Sequence, residues 1–421
     1  MTSCAQQPSA VLTTAATTTA TTTAMTTTPR LLRTTVLRAL AALAFAATAA
    51  ALPAHAADKV IRIGVVSEFS GTYASAGQSI ESGLRAYLKM HGDQIEGKKV
   101  ELVIRDTGGI APETARRHAQ ELITRDKVDF LAGFNFTPNA LAAAPVATTA
   151  KKPMLVFAST SIVTEKSPYI VRTSSTLAQT SAPMATWSAR NGLKRVFTLV
   201  SDYGPGHDAE KAFKDAFKAA GGEIVGEIRM PVSSMDFSPF LQRARDAKAD
   251  AIFVFVPGSE AAISFMKSYN ERGFKQAGVK LIGTGDMTDD DSLQAIGDVA
   301  LDTVTAHHYS AAHDSPQNKA FVQAVRDASK KRPNFHAVAA YDAMDVIYQA
   351  LRKTKGDTNG DALIAAMKGL KVDSPRGPFT IDPATRDIVQ DVYIRKVEKV
   401  GGELYNVEFD KVTAVKDPGK E

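Results

Sequence analysis

Short apolar runs recur along the chain, and a stretch with helical periodicity follows most of them. The runs that we predict as strands span 60–66, 100–106, 128–134, 153–158, 195–201, 223–230, 250–257 and 279–283. Between them, apolar residues recur at helical spacing, as Phe213 and Phe217 do. Because strands alternate with helices, the pattern predicts an α/β fold with parallel sheets that helices cover on both faces.

The alternation runs in two series, which predicts two domains. The first series covers roughly 58–172 and the second roughly 177–305, and a helical block over 315–370 follows. A chain of 421 residues also exceeds what one hydrophobic core comfortably fills. The last part contains GPFTIDP, DVYIRKVEKV and GELYNVEF, which predict short antiparallel strands with turns at Asp382-Pro383 and Gly401-Gly402.

Residues 1–56 have the pattern of an export signal preceded by a leader rich in Thr and Ala. A basic segment over 30–38 precedes an apolar stretch over 39–52. A membrane-spanning helix needs about 20 apolar residues, so this stretch is too short. Ala-His-Ala at 54–56 then gives the small-x-small pattern of a signal-peptidase site. We predict cleavage after this site, export to the periplasm without a lipid anchor, and Met25 as a possible translation start.

Charge and cysteine content narrow the class of protein. The chain has 50 basic and 45 acidic residues, and Arg30, Arg33 and Arg38 belong to the predicted leader. The nearly neutral remainder argues against nucleic-acid binding, which usually requires a strongly basic surface. The only cysteine, Cys4, also lies in the leader, so we expect a fold stabilised without disulfides.

The sequence motifs of common enzymes are absent. Gly71 and Gly77 enclose five residues, and Gln78 stands where a phosphate-binding P-loop has lysine. No GxSxG, HExxH or CxxC motif occurs. His307 and His308 would point to opposite faces of a strand, which favours surface or hinge side chains over zinc ligands. We therefore predict that the protein is not an enzyme and has no cofactor or metal.

Polar loops follow several of the predicted strands. The segment 67–80 (SEFSGTYASAGQSI) follows the first strand, and the third is followed by a helix for which Thr137 is the expected N-cap. Hydroxyl groups at 159–161 and the ring of Tyr203 come after further strands. Helix capping alone explains such loops. However, ligands of open parallel sheets bind outside the carboxyl ends of the strands, which favours a small-molecule site between the two series.

The ordered set of segments resembles a known family. IRIGVVSEFSGTYASAGQSIESGLRAYL, SDYGPGHDAEKAFKDAFKAAGGEIVGEIRM and LIGTGDMTDDDSL carry the resemblance, which covers nearly all of residues 58–400. The sequence is similar to exported solute-binding proteins of ABC transporters of the branched-chain-amino-acid (leucine-binding) type. These proteins have the type I periplasmic binding fold.

The resemblance implies two Rossmann-like lobes joined by a hinge of three crossovers. We expect the crossovers near 172–177, 306–311 and 374–379. Lobe one would then comprise residues 58–173 and 309–374, and lobe two residues 178–306 and 378–421. A ligand would close the lobes by hinge motion, and the closed protein, expected to be a monomer, would dock on an ABC-transporter permease.

The resemblance also implies roles for individual residues. Phe136 and Thr137 correspond to the loop that holds the ligand carboxylate, Tyr203 to an aromatic clamp, and Asp286 to the acid that pairs the ligand ammonium. Relatives that bind leucine-like ligands tend to have Glu at this last position. The full expected set of ligand-binding residues is Phe69, Tyr73, Phe136, Thr137, Ser159, Thr160, Ser161, Tyr203 and Asp286.

These roles predict a carrier that delivers an amino acid, branched-chain or related, to its permease. A carboxylate buried in a cleft is costly unless it is paired, so Asp286 favours a ligand with an ammonium group. An aromatic or other organic acid would instead require Asp286 to turn away or to bond to hydroxyl and N–H groups. Binding of aromatic acids, other organic acids or amides, and a ligand-sensing role, remain the alternatives.

Overall fold

The structure is a computed structural model, and it describes residues 20–21 and 60–420. The predicted Thr/Ala-rich leader, the possible start at Met25 and the cleavage site after Ala56 lie outside the described residues. None of the helices in the described part of the chain is long and apolar enough to cross a membrane.

The first half of the chain forms a six-stranded sheet. Its strands are β1 (Val60–Ser67), β2 (Gln94–Ile95), β3 (Lys98–Asp106), β4 (Phe130–Gly133), β5 (Met154–Val156) and β6 (Ile170–Arg172). Their order is β2-β3-β1-β4-β5-β6, and all neighbours are parallel except β2 and β3. The predicted parallel sheet is therefore present.

The second half forms a nine-stranded sheet within the described residues. Its strands are β7 (Arg195–Ser201), β8 (Glu223–Met230), β9 (Ala251–Phe255), β10 (Lys280–Thr284), β11 (Val304–His307), β12 (Lys371–Val372), β13 (Phe379–Ile381), β14 (Ile388–Val400) and β15 (Glu403–Val415). Strands β7 to β11 pair in parallel, and β11 to β15 form the predicted antiparallel part. Strands β14 and β15 have 13 residues each, longer than predicted, because their pairing continues past two register shifts.

Eleven α-helices connect and cover the strands of the described chain. They are α1 (Ala74–His91), α2 (Pro112–Thr124), α3 (Thr137–Ala150), α4 (Leu177–Arg190), α5 (Gly204–Ala219), α6 (Ser238–Asp246), α7 (Ser259–Glu271), α8 (Asp290–Ile296), α9 (Pro316–Ser329), α10 (Phe335–Lys353) and α11 (Gly360–Met367). Helix α3 begins one residue earlier than expected. Phe136 is its N-cap, and the predicted cap Thr137 is its first helical residue.

Hydrophobic cores lie on both faces of each sheet. Neighbouring residues of a strand point to opposite faces, so Val65 packs into one core and Val66 into the other. Helices α9 and α10, which arise from the predicted helical block, pack on the first sheet through Phe321 and Ile347. This arrangement confirms the α/β class with sheets covered on both faces. The exact limits of the lobes and of the three hinge segments stay a prediction.

Candidate ligand-binding site

A cavity lies where loops from the two sheets meet at the carboxyl ends of their strands. Loops after β1, β4 and β5 line it from the first sheet, and loops after β7, β9 and β10 line it from the second. The centre of a water molecule can occupy about 60 Å³ of this cavity. One buried water needs about 10–15 Å³ of this volume, so the cavity suits a small molecule.

The cavity brings together most of the residues that the sequence predicted. Six of the nine line it, namely Tyr73, Phe136, Thr137, Ser159, Tyr203 and Asp286. The other three, Phe69, Thr160 and Ser161, are not among its lining residues. Direct contact of any of the nine with a ligand stays a prediction.

Thr160 and Ser161 lie behind the wall and tie it to other elements. The Thr160 hydroxyl lies 2.7 Å from that of Thr137 in a hydrogen bond. The Ser161 backbone N–H donates to Asp208 of α5 over 2.8 Å, and its hydroxyl donates to Asp417 over 2.9 Å. These contacts join the first sheet to α5 and to the end of the described chain. Phe69 packs against the hydrophobic core of the first sheet.

Two helix N-termini meet beside Thr137. Phe136 and Tyr203 are the N-caps of α3 and α5, and neither side chain caps its helix by a hydrogen bond. A Cβ added at Gly204, the first residue of α5, would lie 3.6 Å from the Thr137 methyl carbon. The backbone N–H groups of a first helical turn have no acceptor within the helix, and the helix dipole adds partial positive charge there. We call this region, formed by Thr137, Ser159 and Gly204, the amide pole.

Aromatic rings line the cavity from both sheets. Tyr73 and Phe136 pack edge to face with their ring centroids 4.9 Å apart. Tyr203 stacks near Phe255 at 6.0 Å. Burial, followed by the charge of Asp286, raises the pKa of the Tyr203 phenol well above its usual range, so the phenol is neutral. The walls therefore suit a flat apolar group between polar ends.

Asp286 is a largely buried acid two residues after β10, with 15% of its side chain exposed. It lies in a short 3₁₀ helix over Gly285–Thr288. Burial raises the pKa of its carboxyl to about 6, although the nearby Arg395 guanidinium opposes the shift. Its Oδ2 atom lies 3.9 Å from His307 Nε2. A Cβ at Gly285 would lie 2.1 Å from the His307 ring, so only glycine fits there without displacing the ring.

His307 and His308 are part of the cavity wall. They were predicted as surface or hinge side chains; the surface prediction was wrong, and the hinge placement stays a prediction. Their exposed fractions are 3% and 1%. Because β11 ends at His307, the two rings are not held on opposite faces of a strand, and their centroids lie 4.4 Å apart. Burial holds the pKa of both imidazoles well below the usual range, so they are neutral at neutral pH. Asp286, His307, His308 and His336 form what we call the histidine pole.

Sequence reasoning also missed Asn135 and the acid behind it. Asn135 lines the cavity and donates from Nδ2 to Glu68 Oε1 over 2.7 Å. Ser67 donates to the other Glu68 oxygen over 2.9 Å. Burial raises the pKa of Glu68 to about 7 despite these hydrogen bonds. Glu68 directly follows β1 and Asn135 comes two residues after β4, so the rule of strand ends could have identified both.

The described residues offer no metal centre. No group of three or more His, Cys, Asp or Glu side chains within them is arranged to hold a metal ion. The residues that line the cavity supply hydrogen-bonding groups and aromatic rings, and two helices begin beside it.

Comparison with known proteins identifies the family. Residues 60–402 match the family model described as periplasmic binding protein. A Leu/Ile/Val-binding protein homolog from Brucella suis biovar 1 (strain 1330) is 43% identical over 364 residues, which are 86% of this chain and 93% of the relative.

Solved structures with high similarity are solute-binding proteins of ABC transporters. One from Rhodopseudomonas palustris BisB5, in complex with 3,4-dihydroxy benzoic acid, is 55% identical, covers 86% of this chain and 99% of its own, and gives a TM-score of 0.83. One from Rhodopseudomonas palustris HaA2, in complex with p-hydroxybenzoic acid, is 45% identical with the same coverage and a TM-score of 0.84. The family and the fold predicted from the sequence are thereby confirmed, and the chain belongs to the periplasmic binding proteins as a substrate-binding protein of the ABC-transporter type.

Proposed function

We propose that this protein binds an aromatic carboxylic acid in the cavity and delivers it to an ABC-transporter permease. The observation that carries the proposal is the pairing of an aromatic-lined cavity with the meeting point of two helix N-termini. Relatives that are 55% and 45% identical were solved with dihydroxybenzoic and hydroxybenzoic acid, which supports the same ligand class here.

The amide pole is suited to the carboxylate of such a ligand. N–H groups at a helix N-terminus hydrogen-bond to an anion, and the dipole of each helix adds to the attraction. Helices α3 and α5 have 14 and 16 residues, long enough for a substantial dipole. The hydroxyls of Thr137 and Ser159 add further donors at this end. The six lining residues predicted from the sequence are therefore proposed as ligand contacts, and Thr160 and Ser161 as their support.

Asp286 does not require a ligand ammonium. The positive charge of the buried Arg395 lowers the pKa of Asp286. The same charge partly compensates the negative charge of Asp286 when this acid is ionised. With a pKa of about 6, the carboxyl also takes up a proton at mildly acidic pH. In either form it can hydrogen-bond to a neutral polar group of the ligand.

An amino acid, branched-chain or related, is the second candidate ligand. Curated relatives that are 43% identical are named as homologs of Leu/Ile/Val-binding protein. Asp286 in its ionised form would pair with the ligand ammonium, and the amide pole would hold the ligand carboxylate. The aromatic lining and the higher identity of the benzoate-binding relatives favour the first candidate.

The family implies a periplasmic location and a permease as partner. We further propose that the leader over residues 1–56 directs export. We also propose that the two lobes close on the ligand around the hinge segments near 172–177, 306–311 and 374–379. Contacts such as Ser161 with Asp208 would then form as the lobes close.

Calorimetric titration of the chain from residue 57 onward tests the proposed function. We expect benzoate or a hydroxylated benzoate to bind with a micromolar or lower Kd, and leucine and valine to bind far more weakly. A ligand at one hundred times its Kd should raise the free energy of unfolding by about 2.7 kcal/mol. Tight binding of leucine together with no heat from any aromatic acid would replace the first candidate with the second.

A further inference from the structure

In the described residues, three imidazoles of the histidine pole each have one ring nitrogen without a hydrogen-bond partner. Within residues 60–420, His307 Nδ1, His308 Nε2 and His336 Nδ1 are buried and have no hydrogen-bond partner. The other nitrogen of His308 is engaged, because Nδ1 lies 2.9 Å from the Ser175 hydroxyl. An unpaired buried polar atom is costly, so a polar group of the ligand that reaches these nitrogens would stabilise the complex.

The chemistry of this wall differs from that of an anion site. Burial lowers the pKa of all three rings, that of His336 to about 3, so they are neutral. A neutral imidazole has one N–H donor and one nitrogen acceptor. The wall therefore presents both donors and acceptors, and it lies beside the acid Asp286.

Among common ligand groups, a hydroxyl fits this combination best. It donates one hydrogen bond and accepts others, whereas an ammonium only donates and a carboxylate only accepts. A second carboxylate would also lie beside Asp286 and be repelled whenever that acid is ionised. The hydroxyl would then meet two of the unpaired nitrogens of the wall, His307 Nδ1 and His308 Nε2.

The packing of the rings holds this wall in place. His307 lies 4.4 Å from His308 and 4.6 Å from Phe335 between ring centroids. Phe335 in turn lies 3.9 Å from His336. His307 ends β11, and Phe335 and His336 begin α10, so regular structure fixes these three rings. His308 follows β11 and is held by its hydrogen bond with Ser175.

We propose that His307 and His308 are specificity-determining residues that recognise a ring hydroxyl, so that the protein prefers hydroxylated benzoates to benzoate. The inference rests on the proposed function, since it assumes an aromatic acid whose carboxylate lies at the amide pole. It goes further by assigning the second polar end of the ligand to two residues and by naming the substituent that they select.

Two variants remove the unpaired nitrogens and keep the existing contacts. His308→Asn keeps a polar atom near the position of Nδ1, beside Ser175, and removes Nε2. His307→Gln keeps a polar atom near the position of Nε2, beside Asp286, and removes Nδ1. His207→Gln is the matched control, because His207 is exposed on α5 and bonds to Asp202.

The test is a calorimetric titration of each protein with benzoate, 4-hydroxybenzoate and 3,4-dihydroxybenzoate. The wild-type protein should bind the hydroxylated ligands about tenfold or more tightly than benzoate, the gain expected for a buried hydrogen bond. His307→Gln and His308→Asn should weaken the binding of the hydroxylated ligands about fivefold or more relative to that of benzoate, which removes most of this preference. The control should behave as the wild type, and thermal unfolding of each variant should confirm that it is folded.

The remaining outcomes separate the inference from the proposed function. Equal affinity of the wild type for benzoate and its hydroxylated forms would overturn the inference and leave the proposed function standing. The inference would also fail if the variants weakened the binding of all three ligands equally, because that pattern would indicate a purely structural role for the two histidines. Absence of binding to every aromatic acid, with tight binding of leucine, would overturn both.

Discussion

The two poles of the cavity have different chemistry. The amide pole presents hydroxyls and backbone N–H groups, whose charge does not change between pH 4 and 9. The histidine pole consists of titratable side chains, and burial lowers the pKa of its imidazoles while it raises the pKa of Asp286. Both effects favour the neutral forms of these groups.

Because the two poles differ, we expect a ligand with two different ends to bind in one orientation. A carboxylate is stabilised at the amide pole by two helix dipoles, whereas the histidine pole offers it no cationic side chain of its own. A neutral polar group finds donors and acceptors at the histidine pole. A ligand with one anionic end, an apolar middle and one neutral polar end therefore matches the cavity better than a zwitterion does.

Substitution of Glu68, the acid behind Asn135, should give the largest effect on stability. Glu68 has a pKa of about 7 when folded, above its ordinary value of 4.5, so the folded state binds its proton more tightly than the unfolded state does. Its contribution to stability therefore grows as pH falls from about 7 to about 4.5. We expect the free energy of unfolding of the wild type to rise relative to Glu68→Gln by up to about 3 kcal/mol across this window.

Denaturant unfolding of both proteins at several pH values measures this difference. Glu113→Gln is the control. Glu113 is exposed at the start of α2, so this substitution makes the same chemical change at the surface. A constant difference between wild type and Glu68→Gln from pH 4.5 to 8 would show that Glu68 is solvated, and that Asn135 has no buried acid behind it.

Gly285→Ala should disturb the histidine pole from behind. The added Cβ would lie 2.1 Å from the His307 ring and 2.3 Å from the Arg395 guanidinium, so both must shift. Overpacking of this kind costs about 1–3 kcal/mol of stability. We expect a loss in that range by denaturant unfolding, and a Kd for hydroxybenzoate that rises at least tenfold. An unchanged stability and Kd would mean that the ring of His307 is not packed against Gly285.

Two neighbouring serines should separate binding from support at the amide pole. Ser159 lines the cavity, whereas Ser161 bonds to Asp208 and Asp417 behind it. Ser159→Ala should raise the Kd for an aromatic acid about five- to tenfold with little change in stability. Ser161→Ala should reduce the free energy of unfolding by about 1 kcal/mol, because its hydroxyl loses one buried hydrogen bond. If Ser161→Ala weakened binding and Ser159→Ala lowered the free energy of unfolding instead, Ser161 would be the ligand contact and Ser159 the support.

Much of the fold could be predicted from the sequence, because buried parallel strands are continuous apolar runs. Strand β7 matches its predicted limits, and β1 differs by one residue. Strands β6 and β11 were missed, since runs of three and four residues are too short to show a period. The register shifts that lengthen β14 and β15 also leave no trace in the pattern of residues.

The site was predictable where a strand end is followed by a recognisable helix start. Thr137 and Tyr203 were found in this way, and the resemblance to a known family added Asp286. His307 and His308 were missed because they were weighed only as zinc ligands, and their spacing on a strand argued against a shared metal. Ser161 belongs to the predicted cluster of hydroxyls at 159–161, but a 3₁₀ helix begins there and its hydroxyl bonds to Asp417 instead of lining the cavity.

The orientation of a bound aromatic acid tests the central claim most directly. A crystal structure of the protein with 4-hydroxybenzoate should place the carboxylate within hydrogen-bond distance of the first backbone N–H groups of α3 and α5, and the ring hydroxyl beside His307 and His308. A carboxylate found beside Asp286 and His307, or a ligand bound outside this cavity, would contradict the account.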